Sequence, residues 1–427
     1  MHSIRTRSAQ YAIKYIGLAA LALVTLGAAC VALVPRWAPA TFAGMGVTWA
    51  VYALTARRLS VRTPADGLLA CLALMIPVTL WATPLPDLTW PAVYQLAAGL
   101  VVYYVVVNFC AVWAALDLAE LGLRLVTWGL AGTGVVLSAL AMLGVQWIPK
   151  LPAFKPLLAR LPATLIETIN PNVMGGILAV LVSALIGWCW IGWPEHRRAE
   201  RAALVTVNVG MIGVLVLTQS RGAWMGLAAA LVALVLLVNR RSAWGVGLLA
   251  LMAAMVVWRL GLERVSSLLL TSQAIRSVDS RAEIWLRAWY IIQDFPLTGL
   301  GMGAFRPVVD VMYPLFLAGP EATIPHAHNV FLQVAVDLGL PGLLAWGGTL
   351  VLVIAAAWRT YRLGKALGER WLMGLGAGVL CSQVALVMHG LTDAVTWNTR
   401  PAVLVWALWG LAIAAAAAAN DPLGPET

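Results

Sequence analysis

The stretch PHAHNVFLQVAVDLGLPGLLAWGGTLVLVIAAA occupies residues 325–357 and joins two very different kinds of sequence. It begins with two histidines, His326 and His328, and from Asn329 it continues as an apolar run. A membrane-spanning helix needs about 20 apolar residues, and this run is long enough. A segment with ionisable side chains therefore ends where a membrane helix starts. This boundary predicts an all-α integral membrane protein that carries a polar site at one membrane surface.

The composition of the whole chain agrees with that class. Apolar residues make up 62% of the chain and charged residues 11%, whereas a soluble domain is about half apolar and a quarter charged. The net charge of +10 is interpreted as a topology signal, because Lys and Arg collect in cytoplasmic loops, so no nucleic-acid partner is predicted. The five cysteines lie in apolar runs without a short Cys-x-x-Cys spacing and are predicted to be core residues.

Apolar runs recur along the length and predict about twelve transmembrane helices in three parts. Residues 1–260 hold helices one to nine, residues 261–327 form one large outer loop, and residues 328–427 hold helices ten to twelve and a short cytoplasmic tail. The predicted spans are approximately 15–34, 40–56, 66–83, 92–114, 122–145, 170–193, 202–219, 222–238, 243–260, 329–357, 371–391 and 401–419. Numbered from an inside N-terminus, the inside loops collect most of the basic residues, which predicts that both termini are cytoplasmic.

Arg221 is a candidate anion ligand on the outer face. It lies in Ser220-Arg221-Gly222, a tight connection between two predicted spans. A cation in that position is costly unless it meets an anion. The alternative is an interfacial arginine whose head group simply reaches water.

Arg281 and Arg287 lie in the outer loop, in a segment where apolar residues recur at helical spacing. The pattern predicts an amphipathic helix at the outer membrane surface, with Asp279 or Ser280 as its N-cap. For Arg287 the alternative to ligand binding is an i,i+4 ion pair with Glu283. Arg281 has no such pair and is the better ligand candidate.

Three of the five histidines are predicted on the outer face: His326, His328 and His389. A neutral imidazole near several arginines resists protonation, which suits a general base near neutral pH, and His328 is the best candidate. The alternative for His328 and for His326 is a helix cap. His389, near the end of a span and followed by Asp393, is predicted to face the protein interior, either at the substrate or in packing alone.

Neither a metal nor a nucleotide cofactor is predicted. His326 and His328 have no third His or Cys at a suitable spacing, and the outer loops contain no Asp-x-Asp pair. The turn Gly299-Leu300-Gly301-Met302-Gly303 resembles a dinucleotide fingerprint, but such a site requires a preceding strand in a soluble unit of strands and helices. The glycines are therefore predicted to form a tight turn.

Four sequence features together resemble a known family. His328-Asn329 is followed by nine residues and then by Gly339-Leu340-Pro341-Gly342. The supporting features are Ser220-Arg221-Gly222, the segment Arg281 to Trp289 and the Gly299 to Phe305 turn. The chain resembles the O-antigen ligases and the wider O-antigen ligase/polymerase superfamily in its C-terminal half and in its overall hydropathy. One departure is Asp337, where relatives often carry glutamate.

The resemblance implies a GT-C-like glycosyltransferase in the inner membrane of a Gram-negative bacterium. It would transfer O-antigen from undecaprenyl diphosphate to the lipid A–core oligosaccharide on the periplasmic side, with inversion and without metal. The catalytic candidates are His328 as base and Arg221 and Arg281 as diphosphate ligands. The candidates for substrate contact are Arg287, His326, Asn329 and His389.

Other functions remain open on the sequence. An O-antigen polymerase would use the same donor but extend a lipid-linked glycan, and a protein O-oligosaccharyltransferase is a further relative. A transporter or flippase for a lipid-linked glycan would need ionisable residues or broken helices near the middle of the membrane. Polar groups within the spans are sparse, and the charged ones gather at one face. These features argue against the transporter, and the His328-Asn329 signature and the short C-terminal tail favour the ligase over the polymerase.

Overall fold

The structure is a computed structural model of the chain. It describes residues 2–33, 35–143, 170–239, 241–245, 272–317 and 324–418, together with positions 247, 252, 255 and 259. The basic loop with Lys150, Lys155 and Arg160 and the C-terminal tail lie outside the described residues, as do most of the predicted ninth span and part of the outer loop. The part of the chain that is described forms helices and no strand.

The described residues form thirteen α-helices, numbered here in chain order. They are α1 (His2–Leu33), α2 (Ala38–Ala56), α3 (Asp66–Ala82), α4 (Pro86–Ala114), α5 (Ala119–Leu143), α6 (Pro171–Gly192), α7 (Arg198–Leu217), α8 (Arg221–Val238), α9 (Ser272–Asp294), α10 (Phe305–Met312), α11 (Val330–Leu367), α12 (Arg370–Gly390) and α13 (Val403–Ala418). Three short 3₁₀ segments, Pro35–Trp37, Trp193–Glu195 and Arg400–Ala402, precede or follow them.

Eight of these helices are long and apolar enough to cross a membrane, namely α4 to α8 and α11 to α13. Shorter apolar helical segments are Tyr15–Cys30 and Asp66–Ala82. Eleven of the twelve predicted spans coincide with a helix, and the span predicted at 243–260 falls mostly outside the described residues. The all-helical membrane class is supported, and twelve crossings remains a prediction.

Helices α6 and α12 approach each other backbone to backbone. A Cβ atom on Gly378 would lie 2.1 Å from the carbonyl oxygen of Ala184, and one on Gly187 would lie 2.5 Å from Gly378 Cα. Small residues allow two membrane helices to approach backbone to backbone. Along the same pair of helices, Gly176 in the second turn of α6 meets His389 in the last turn of α12.

Helix α11 is interrupted at Gly339, where φ is 68° and ψ is −175°. The interruption frees backbone groups that must find other partners in the membrane. The outer loop supplies them: Leu300 N–H donates to Val336 O at 2.8 Å, and Leu340 N–H donates to Pro296 O at 2.7 Å. These two hydrogen bonds hold the outer loop against α11 at the break.

The glycine turn has the tight conformation that the sequence predicts. Gly299, Gly301 and Gly303 have φ values of 67°, 99° and 76°, in the left-handed region that favours glycine. The turn packs on α3, where Met302 N–H donates to Thr79 Oγ1 at 2.8 Å.

The outer loop has its own small apolar core. The inward side chains of α9 and α10 pack with the turn and with the start of α11; they are Ile284, Ala288, Ile291, Ile292, Phe305, Val308 and Val309. The predicted N-cap at Asp279 or Ser280 is wrong, because α9 begins at Ser272 and includes both residues. No Gly or Pro interrupts residues 272–280, so the helix extends past the predicted start.

Candidate active site

His326 and His328 stand together at the entrance to α11. Ala327 between them is fully buried in the outer-loop core, so the two flanking rings emerge on one side. Their ring centroids are 4.4 Å apart, and the ring planes meet at 65°. His328 has φ of 48°, and the left-handed region is uncommon for a residue other than glycine. Non-glycine residues in that conformation concentrate at functional sites.

Asp393 completes the cluster from the segment after α12. Its Oδ1 lies 3.3 Å from His328 Nδ1 and 3.5 Å from His326 Nε2. The same oxygen accepts a hydrogen bond from Ala394 N–H at 2.8 Å. One carboxylate therefore faces both imidazoles, at ion-pair distance from each.

The surroundings fix the charges of two members of the cluster. Burial alone would raise the pKa of Asp393, but the close approach of His328 and, in the acidic range where the carboxyl group titrates, the positive charges of the neighbouring histidines outweigh it and hold the pKa below its usual range. Burial lowers the pKa of His326 to about 4, against the opposing attraction of Asp393. At neutral pH Asp393 is an anion and His326 is uncharged.

His389 is fully buried beside this cluster. Neither ring nitrogen has a hydrogen-bond partner among the described residues. Glycines on two helices make room for the ring: a Cβ atom on Gly176 would lie 2.7 Å from His389 Cε1, and one on Gly222 would lie 3.3 Å from Cδ2. The His389 carbonyl accepts from Asp393 N–H at 3.0 Å. The histidine faces the interior as predicted, and its contact with substrate stays a prediction.

Arg221 and Arg281 belong to two different helices, α8 and α9. Arg221 is the exposed first residue of α8, next to Gly222, which packs against His389. Arg281 is half-buried in α9, and its charge contributes to the lowered pKa of His326. Arg281 therefore acts electrostatically on the cluster, and Arg221 lies one residue from the glycine that packs against His389.

Arg287 is held by the outer loop itself. Its Nη2 lies 3.6 Å from Glu283 Oε1, its Nε–H donates to Pro314 O at 3.1 Å, and its guanidinium lies 5.6 Å from the Phe316 ring. The ion pair with Glu283, which the sequence offered as the alternative to ligand binding by Arg287, is confirmed. Substrate contact by Arg287 stays a prediction, and the guanidinium already has three contacts in the loop.

Asn329 is the N-cap of α11. Its Oδ1 accepts from Phe331 N–H at 3.0 Å and from Leu332 N–H at 3.1 Å, while its Nδ2 donates to Leu391 O at 3.4 Å. A helix cap was the alternative interpretation of His328. The residue that caps α11 is Asn329 instead. The His328 side chain is left to face Asp393. Substrate contact by Asn329 stays a prediction.

Sequence reasoning did not assign Asp393 to the site, although it is the sole carboxylate between α12 and Arg400. It also found no third ligand for a metal. In the structure His326, His328 and Asp393 offer three ligand atoms within 4.8 Å of one another. That arrangement fits an imidazole–carboxylate pair and also has the donor atoms of a metal site.

A buried network behind the cluster was also missed. Gln333 Oε1 accepts from Ala327 N–H at 2.7 Å, and Gln333 Nε2 donates to Asp337 Oδ1 at 2.9 Å. Trp397 Nε1–H donates to Asp337 Oδ2 at 2.9 Å. Asp337 thus ties α11 to the segment that carries Asp393. A carboxylate inside an apolar span was the available sequence signal.

These features define a multi-pass membrane protein with an ionisable cluster at one end of its helices. Comparison with known proteins then supplies the family. A family model described as O-antigen ligase matches residues 206–347, which include Arg221, Arg281 and His328. The O-antigen ligase of Pseudomonas aeruginosa strain PAO1 is 30% identical over 313 residues, which cover 72% of this chain and 69% of that protein. The chain belongs to the O-antigen ligase family.

Proposed function

We propose that this protein transfers an O-antigen glycan from undecaprenyl diphosphate to the lipid A–core oligosaccharide on the periplasmic face of the inner membrane. Family membership supports O-antigen ligation in general. The observation that carries the finer proposal is the His328–Asp393 pair, with the charge of Arg281 acting on neighbouring His326. In this proposal residues 261–327 form the catalytic loop, residues 1–260 and 328–427 provide the membrane helices, and both termini are cytoplasmic.

His328 acts as the general base in this mechanism. With Asp393 at 3.3 Å from Nδ1, the favoured neutral tautomer carries its proton on Nδ1 and leaves the lone pair on Nε2. The pair is not aligned as a hydrogen bond here, and such contacts tighten when substrate binds. Nε2 then accepts the proton of the attacking hydroxyl of the acceptor sugar.

Arg221 and Arg281 bind the leaving diphosphate. The acceptor oxygen forms a bond to the anomeric carbon while the bond from that carbon to the phosphate oxygen breaks, so negative charge grows on undecaprenyl diphosphate. Guanidinium groups bind phosphate oxygens in a bidentate way and stay charged. Preorganised cations at that position contribute several kcal/mol to the transition state. Direct displacement inverts the anomeric configuration.

The decisive experiment is transfer in vitro with purified protein, undecaprenyl-diphosphate-linked glycan and lipid A–core, in the presence of EDTA. We expect wild type to place glycan on lipid A–core. His328→Ala should lose about 10²- to 10⁴-fold in rate, as expected for loss of a general base. Arg221→Ala should lose about 10²- to 10³-fold, as expected for loss of charge stabilisation. Arg306→Ala, which removes an exposed arginine of the same outer segment, is the matched control and should keep full activity.

Three other outcomes would change the assignment. Longer glycans on the lipid carrier would identify a polymerase. Loss of wild-type activity in EDTA, restored by a divalent ion, would assign His326, His328 and Asp393 to a metal site. Full activity of His328→Ala would end its role as base and direct attention to His389.

A further inference from the structure

A large cavity lies at the opposite end of the helix bundle from the histidine cluster. It has a volume of about 970 Å³ and is bordered by α6, α7, α8, α11 and α12. Arg370, at the start of α12, lines the cavity, whereas His389 lies at the end of the same helix. At 1.5 Å per residue the helix separates them by about 30 Å, the thickness of the hydrocarbon core. The cavity therefore belongs to the other membrane surface and not to the active site.

The apolar wall of the cavity reaches about one leaflet deep into the membrane. Its side chains are mainly aliphatic or sulfur-containing: Ile186, Cys189, Val205, Val209, Val238 and Met373. Val209 is about 16 Å along α7 from Arg198, and one leaflet of hydrocarbon is about 15 Å thick. Asn208 is the polar residue on this wall, and its Nδ2 donates to Leu204 O of its own helix. The wall thus runs from the interface to the middle of the membrane.

The rim of the cavity is cationic and aromatic. Lys365 and Arg370 both line it and are both exposed. Neither side chain has an ion pair with any described residue. Trp190 and Trp193, which are 52% and 41% exposed, also border it. Tryptophan is enriched where lipid head groups begin. Two basic side chains above an apolar channel are complementary to a phosphate attached to an acyl chain.

We propose that this cavity binds one anionic glycerophospholipid from the surrounding leaflet. Its phosphate lies between Lys365 and Arg370, and one acyl chain follows the wall as far as Val209. Basic pockets between membrane helices bind anionic head groups in this way. The lipid joins the hairpin between α11 and α12 to α7 and α8, so binding stabilises the folded bundle. The site differs from the proposed donor site, which lies at the other membrane surface.

Native mass spectrometry of the detergent-purified full chain tests this with two probes, dioleoylphosphatidylglycerol and dioleoylphosphatidylcholine. We expect wild type to bind the anionic lipid more tightly. Each basic residue near the head group contributes about fivefold, so Lys365→Gln/Arg370→Gln should weaken phosphatidylglycerol binding roughly 30-fold and leave phosphatidylcholine unchanged. Arg359→Gln/Arg362→Gln is the matched control, because it removes two exposed charges from the same end of α11 that do not line the cavity.

A second variant tests the acyl-chain channel separately. Val209→Trp fills the inner end of the wall and should weaken binding of both lipids. Equal binding of the two lipids by wild type would overturn the proposal. An equal loss in the Arg359/Arg362 control would also overturn it, since that result indicates diffuse attraction. His328→Ala should bind phosphatidylglycerol like wild type. Lipid binding therefore tests the cavity, and the transfer assay tests the proposed transferase activity independently.

Discussion

At the scale of single residues, Asp393 organises the candidate site. Its Oδ1 faces His326 and His328 at once, and its backbone N–H bonds to the carbonyl of buried His389. A carboxylate in that position fixes the tautomer of an imidazole and stabilises its protonated form. The residue would therefore act through His328 and not on the substrate.

Asp393→Asn should lower the rate of glycan transfer about 10- to 100-fold with little change in KM. The arginines proposed to bind the substrate are unchanged in this variant, whereas His328 loses the carboxylate that orients it. The measurement is the dependence of transfer rate on donor and acceptor concentration. Asp310→Asn, which removes an exposed carboxylate from α10 in the outer loop, is the control and should keep the wild-type rate. A rise in KM at unchanged kcat would instead indicate that Asp393 contacts substrate.

The lowered pKa of His326 predicts a loss of stability on acidification. Its folded pKa is about 4 and the ordinary value is 6.5, so between these values the unfolded chain binds more protons. The contribution of His326 to the free energy of unfolding is fully present above pH 6.5 and is lost as the pH falls toward 4. Thermal unfolding in detergent at pH 7, 6, 5 and 4.5 should show a falling Tm.

In His326→Gln that fall should be smaller. Some dependence of Tm on pH should persist in this variant, because burial also lowers the pKa of His196. Asp393 should not contribute in this range, since its pKa is held below the usual value. Identical pH curves for the variant and wild type would show that His326 is not the group that titrates.

At the scale of helices, the contact between α6 and α12 fixes the position of the site. Gly176 near the start of α6 packs against His389, and the end of α12 leads directly to Asp393. The two helices touch backbone to backbone near Gly378, about halfway along α12. Any separation there would move His389 relative to the glycines that make room for it.

Gly378→Ala should destabilise the protein by about 1–3 kcal/mol, because the new Cβ would lie 2.1 Å from Ala184 O and the backbone must shift. The control is Gly347→Ala in α11, where a Cβ meets nothing within 4 Å; it should be neutral or stabilising by up to about 1 kcal/mol. Denaturation in detergent measures both variants. Equal stability of the two variants would show that the α6–α12 approach is looser than the structure indicates.

At the scale of the whole molecule, the helices separate two different surfaces. The end of α12 carries the histidine cluster, and its beginning carries the basic rim of the cavity. The distribution of Lys and Arg predicts that the rim is cytoplasmic and the cluster periplasmic. A donor linked to a lipid on the outer surface would then meet Arg221 and Arg281 without crossing the membrane.

Cysteine labelling in cells tests this orientation. With the five native cysteines replaced by alanine, Leu391→Cys should react with a membrane-impermeant maleimide added outside the inner membrane, and Glu369→Cys should react only after the membrane is opened. Both positions are exposed. The reverse pattern would place the cluster in the cytoplasm and would contradict the proposed transfer on the periplasmic side.

The sequence by itself determined the elements and the candidate residues. The long apolar runs coincide with helices, the glycine turn and the Glu283–Arg287 pair are confirmed, and the His328-Asn329 signature pointed to the family. These features depend on neighbours within a few residues, so periodicity and spacing reveal them. The predicted start of α9 was wrong, because no Gly or Pro marks a helix boundary near Ser280.

Only the tertiary structure decided which distant residues meet. Asp393 reaches the two histidines because α12 returns the chain to the level at which α11 begins, and the break at Gly339 matters because the outer loop bonds to it. Arg287 is engaged by residues near Pro314, far along the chain. Such distances are set by how helices pack against one another, and no local pattern in the sequence encodes them.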